Sequence, residues 1–206
     1  MDVVRRAPTG SILLLKGIRF YSKIIECASR SNWSHVVIVV QDWDNRPGET
    51  FILESSRDCA PLYDLLTEKV VDDGVRLVPV DAFLKSVEKE LVVLRRLFVC
   101  NADIVQTMTC NLARELAGRR WERNIVSQVV MAWYDGPGGA TRQDLSSVFC
   151  SELATELYMR AGLVPRDLPS SEYITADFGV DGPIDHAVAS RGHSLSNYVV
   201  VQHEQK

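Results

Sequence analysis

Ser34-His35-Val36-Val37-Ile38-Val39-Val40, then Asn45-Arg46-Pro47-Gly48, then Thr50-Phe51-Ile52-Leu53-Glu54 is the stretch on which the fold turns. The first piece is a run of β-branched residues, a strand signal. The second is a turn, because proline presets one dihedral and glycine supplies the positive one. The third is a returning strand. Together they predict an antiparallel hairpin.

The same pattern recurs on both sides. Pro8-Thr9-Gly10 is a turn before a short strand over 11–16, and 18–29 has helical spacing. Gly74–Val80, Leu91–Leu97 and Ser196–Gln202 read as further strands. Residues 55–73 are polar, with one turn of helix expected over 62–66. Asp81 is read as the cap of a short helix, and Asn101–Ala117 as a longer one with Ile104, Met108, Leu112 and Leu116 on its buried face. Strands therefore cluster in hairpin-like pairs and do not alternate with helices. The fold class expected is α+β with a largely antiparallel sheet packed against helices.

Downstream lies Phe149-Cys150-Ser151-Glu152-Leu153-Ala154-Thr155-Glu156-Leu157-Tyr158. Leu153, Leu157 and Ala161 recur at helical spacing, and Gly162 with Pro165 ends the helix. Cys150 falls in its first turn. There the unpaired N–H groups and the helix dipole favour a thiolate, and the N–H groups of Cys150 and Ser151 can hold an oxyanion. A free cysteine in such a place is also a good small core residue. His35 shares a strand face with Val37 and Val39, and Ile52 shares one with Glu54. If the hairpin pairs as expected, the Glu54 carboxylate can accept an imidazole N–H. On their own, His35 could equally be a histidine satisfied by backbone and Glu54 a solvated carboxylate; Gln41, at the far end of the strand, is a reserve partner.

The order of these pieces settles the reading. Gly10-Ser11-Ile12-Leu13-Leu14, Ser34-His35-Val36, Ile52-Leu53-Glu54-Ser55, Gly74-Val75-Arg76-Leu77-Val78-Pro79-Val80-Asp81-Ala82-Phe83 and Phe149-Cys150-Ser151-Glu152-Leu153 together resemble the circularly permuted branch of the NlpC/p60 papain-like superfamily. The nearest groups are the YiiX-like proteins and a related poxvirus family, in which the histidine strand precedes the cysteine helix. The resemblance spans roughly residues 10 to 180. It implies Cys150 as nucleophile, His35 as base and Glu54 as orienting group, in a cysteine hydrolase acting on a peptide or other amide. A lipid-acting acyltransferase, thioesterase or esterase could use the same triad, and a binding module could keep the fold without chemistry. Some members carry Gly-x-x-Tyr-Asp ahead of the cysteine helix. Here Gly118-Arg119-Arg120-Trp121-Glu122 stands in that place.

The remaining expectations follow from composition. At 206 residues the chain reads as one domain over 1–206, with an insertion or cover at 119–148. A net charge of −4 argues against a nucleic-acid partner. The five cysteines form no CxxC, and none lies at metal-ligand spacing beside a histidine, so no metal or organic cofactor is implied. The N-terminal apolar run is too short for a signal peptide and no stretch is long enough for a transmembrane helix, which suggests an intracellular, cytoplasmic chain. Trp33, Trp121, Val129 and Trp133 are candidates to line a substrate cleft, and the arginines at 119, 120 and 123 leave peripheral membrane contact open. His186, His193 and His203 are read as solvated loop residues.

Overall fold

The computed structural model describes residues 2–17, 32–57, 59–121 and 148–203. Its centre is a six-stranded antiparallel sheet. The strands are β1 (Ile12–Lys16), β2 (His35–Gln41), β3 (Thr50–Ser56), β6 (Gly74–Pro79), β7 (Leu91–Arg95) and β10 (Val199–Gln202), in the spatial order β10-β7-β1-β2-β3-β6. Two small ribbons flank it. One joins β4 (Leu62–Asp64) to β5 (Lys69–Val71), the other β8 (Leu97–Phe98) to β9 (Ser194–Leu195). The five α-helices among the described residues are α1 (Asp2–Arg5), α2 (Val80–Ser86), α3 (Ala102–Leu116), α4 (Cys150–Arg160) and α5 (Pro183–Ala189). The chain is thus α+β with an antiparallel sheet, as the hairpin pattern predicts.

The sheet is covered on both faces, which is why its strands are apolar nearly throughout. Ile12, Leu14, Val36, Ile38, Val40, Phe51, Leu53, Val75 and Leu77 face α3 and α4. Leu13, Leu15, Val37, Val39, Ile52 and Val78 face α1 and α2 through Val4, Phe83 and Leu84. The alternation follows from the two-residue period of a strand. Helix α4 lies across β2 and β3. Its Tyr158 hydroxyl donates to the Gly10 carbonyl at 2.8 Å. Gly10 has φ +86°, and a Cβ there would meet Val105 Cγ1 at 2.6 Å, so only glycine lets β1 start this close to α3.

Several boundaries differ from expectation. No helical turn forms over 62–66: Leu62–Asp64 is a strand, and the turn after it is organised by a buried carboxylate. Asp64 accepts from the backbone N–H groups of Leu66, Thr67 and Leu77 and from the Thr67 hydroxyl. Asp81 lies inside α2 and does not cap it: Pro79 holds the cap position, and Asp81 pairs with Arg5. The buried face of α3 is set by Val105, Thr109, Leu112, Ala113 and Leu116, whereas Ile104 is 46% exposed. His186 sits on a helix, α5, that proline at its first turn initiates. The helix expected over 18–29 and most of the 119–148 insertion, with Val129 and Trp133, lie outside the described residues.

Candidate active site

Each element that carries a candidate residue is pinned close to it. Ser34 donates its backbone N–H to the Leu15 carbonyl at 2.9 Å, and its hydroxyl accepts from Gly17 N–H at 2.9 Å. This fixes the start of β2, so His35 is its first residue. The β2–β3 ladder runs from Gln41↔Thr50 to Ile38↔Leu53 and β3 continues to Ser56, which brings Glu54 and Ser56 level with the His35 end. Ser55, on the opposite face of β3, donates to the Val148 carbonyl at 2.5 Å. That bond ties the strand of Glu54 to the backbone two residues before Cys150. Phe149 precedes the helix, and its N–H is accepted by the Glu152 carboxylate at 3.3 Å, which sets the first turn of α4 at Cys150.

These anchors bring Cys150, His35 and Glu54 together. His35 Nε2 lies 3.0 Å from Glu54 Oε2. The Cys150 thiol is coupled electrostatically to the same imidazole, whose Nε2 is turned to Glu54. Ser56 lends its hydroxyl to Glu54 Oε2 and lies 3.3 Å from His35 Nε2. The sulfur also meets the Thr175 hydroxyl at 3.8 Å. Glu54 is nearly fully buried, while the His35 side chain keeps 21% of its surface exposed. The site therefore has a dry acid end and an open imidazole end.

Electrostatics push the three groups in complementary directions. Burial alone would lower the His35 pKa, but the Cys150 thiolate and Glu54 raise it to about 10. Burial would raise the Cys150 pKa, and the His35 charge and hydrogen bond, Val36 N–H and Thr175 bring it below its ordinary value. Burial would also raise Glu54, yet the His35 hydrogen bond, the Arg76 charge and Ser56 hold it down at about 2. The shifts favour a thiolate beside an imidazolium, next to an ionised carboxylate.

Arg76, Ser56 and Thr175 join this cluster without having been singled out in the sequence. Arg76 donates from Nε to Glu54 Oε1 at 2.8 Å, and its Nη2 lies 2.7 Å from the same oxygen. Arg76 faces Glu54 across the β3–β6 ladder. Thr175 opens a 3-10 turn, Thr175–Phe178, more than twenty residues after the cysteine in sequence, and no local signal places it. Gln41 is not a partner of His35: its side chain is bound to the Ala7 and Arg5 carbonyls and to Thr50. Trp33 and Trp121 are both buried. Trp33 packs edge-on against Tyr198 with centroids 5.2 Å apart, and Trp121 does the same on Phe149 at 5.1 Å. Among the described residues no group of three histidine, cysteine, aspartate or glutamate side chains is arranged to hold a metal ion. None of their helices is long and apolar enough to cross a membrane.

No family model and no curated protein matches the chain. Among solved structures it is similar to YiiX from Escherichia coli O157:H7, described as a metalloprotein of DUF1105. This likeness is one of fold. It has a TM-score of 0.51 at 19% identity, over 76% of this chain and 67% of the other.

Proposed function

We propose that this chain is a cysteine hydrolase with a permuted papain-like fold, in which Cys150 is the nucleophile, His35 the proton carrier and Glu54 the group that orients it. The observation that carries the reading is a single imidazole that lies 3.0 Å from a buried carboxylate and is coupled electrostatically to a thiol at the start of a helix. A buried structural cysteine has no use for that arrangement. Catalysis by such a pair needs a thiolate, a proton donor beside it and donors for the developing oxyanion.

The steps follow from the positions. The thiolate attacks a carbonyl carbon, forming the S–C bond, and the carbonyl electron pair moves onto oxygen. The N–H groups of Cys150 and Ser151, unpaired within the first turn of α4, face that charge. Collapse of the intermediate expels the leaving group, which takes the proton of His35, and leaves an acyl thioester. Neutral His35 then takes a proton from water as it attacks, and the acid and thiolate are released. Glu54 keeps Nε2 protonated throughout, so that Nδ1 handles the transferred proton. Amide, ester and thioester carbonyls all fit these steps. The neighbour's description as a metalloprotein is not carried over: the Glu54 oxygens are engaged by Arg76, His35 and Ser56, and among the described residues no group of three histidine, cysteine, aspartate or glutamate side chains is arranged to hold a metal ion.

The test is activity profiling of wild type and Cys150→Ala on matched amide, ester and thioester panels, with iodoacetamide labelling of the thiols. Turnover that vanishes in Cys150→Ala, and labelling of Cys150 at pH 6 far ahead of the other cysteines, are expected. Equal labelling of all cysteines would sink the reading.

A further inference from the structure

Arg76 and Arg95 are the largest fully buried side chains in the described protein. Burying a guanidinium is costly unless every donor is used. Arg95 satisfies its donors with the carbonyls of Ser196, Phe178 and Gly179 and with Asp185, all structural partners. Arg76 differs. One edge of its fork closes on Glu54 Oε1, through Nε and Nη2, and its Nη1 donates to the carbonyls of Ala60 and Val71 at 2.9 and 3.0 Å. These carbonyls flank the β4–β5 ribbon, so the guanidinium plane is fixed from behind and cannot rotate with the carboxylate.

We propose that Arg76 is the positioning residue of this site: by occupying Oε1 from a fixed plane it dictates which way the Glu54 carboxylate faces, and so presents Oε2 to His35 Nε2. The assignment rests on the triad reading above. It follows from the geometry of a carboxylate, whose two oxygens are coplanar. Two guanidinium donors converging on Oε1 pin that oxygen, and with the Glu54 stem fixed by the strand this directs Oε2 to His35, whereas a lysine offers one freely rotating point charge. Ser56 then completes Oε2. The titratable and charged groups around the cluster are Cys150 from α4, Glu54 from β3 and Arg76 from β6, with Cys59 and Asp64 acting on Arg76.

Two variants separate the charge of Arg76 from its shape, and two NMR signals read them. One is the downfield proton on His35 Nε2 in its hydrogen bond to Glu54; the other is the titration of the Glu54 carboxyl carbon. Arg76→Lys keeps the charge and loses the fork. It should leave Glu54 titrating where it does in wild type, while the His35 Nε2–H signal is lost to exchange. Arg76→Gln loses the charge, and the Glu54 titration should rise by about one unit or more. Arg95→Lys, equally buried but out of contact with Glu54, should retain the His35 signal, which separates positioning from general loosening of the core. A His35 signal that persists in Arg76→Lys overturns the assignment, and this variant decides it alone should Arg76→Gln fail to fold. Neither signal requires turnover, so an inactive protein would refute the hydrolase reading without touching this one.

Discussion

At the residue level the sulfur of Cys150 is governed by three neighbours: the His35 ring, the Val36 N–H and the Thr175 hydroxyl. Each favours the charged form against the cost of burial. A hydrogen bond to a charged group contributes roughly 1.5–3 kcal/mol, of which the long Thr175 contact should supply the lower end. Thr175→Val is therefore expected to raise the thiol pKa by about one unit and to slow Cys150 alkylation at pH 6 up to about tenfold. The rate at pH 10, where the thiol is ionised either way, should hardly change. A profile identical to wild type would remove Thr175 from the site. The sequence shows the reactive pair more readily than its support. Cysteine at a helix start, histidine at a strand start and glutamate on the adjoining strand are local patterns. Thr175 and Ser56 are ordinary residues that only tertiary proximity makes relevant, and Arg76 in a strand reads as an outward-facing cation until the β4–β5 ribbon is seen to cover it.

At the level of elements, that ribbon is where the sequence misleads. Leu62–Leu66 has the composition of a helical turn, but Asp64 has a better use for its carboxylate as the acceptor of three backbone N–H groups and one hydroxyl. One of these, from Leu77, crosses to β6 at 2.8 Å, so Asp64 fastens the ribbon to the strand of Arg76. Asp64→Ala should cost about 3 kcal/mol, since it leaves buried donors unpaired, each worth about 1–3 kcal/mol. Urea unfolding measures the loss. The same variant should raise the exchange rate of the Leu77 amide before that of β1, whose pairing does not depend on Asp64. At the other end of β6, Gly74 has φ +91°, and a Cβ there would come within 2.3 Å of the Arg119 carbonyl oxygen. That carbonyl accepts from Val75 N–H at 2.8 Å. Gly74→Ala adds a backbone strain of about 1–3 kcal/mol to a clash with backbone that cannot rotate away. It should lower the melting temperature without changing the His35–Glu54 contact.

Across the whole molecule, the architecture was open to the sequence because turn residues and β-branched runs mark hairpins whatever lies around them. Sheet order was not, since β10 joins β7 and closes the sheet from the far end of the chain, and no local signal records that contact. The unbroken apolar runs of β1 and β2 are the trace of a sheet covered on both faces, and this coverage decides how the protein responds to pH. Glu54 is buried and held at about 2, below its ordinary 4.5, by the His35 hydrogen bond, the Arg76 charge and Ser56, which together outweigh the burial that would raise it. A carboxylate depressed on folding stabilises the protein above its unfolded pKa, and that stability is lost as pH falls through the folded one. The window for Glu54 thus runs from 4.5 down to about 2. On the alkaline side, His35 is lifted from 6.5 to about 10, so its contribution is complete below 6.5 and is lost as pH rises through about 10. The lowered Cys150 thiol acts in the opposite sense below 9.0, so its slope opposes that of His35 there. The clean test is therefore the acid limb. Glu54→Gln should already be less stable than wild type at pH 6, because Arg76 loses its ion pair. Between pH 4.5 and 2 its melting temperature should then fall less steeply than that of wild type, as there is no buried carboxylate left to protonate. Parallel curves for the two proteins would mean that the acid sensitivity resides in other carboxylates and that Glu54 is not held ionised in the fold.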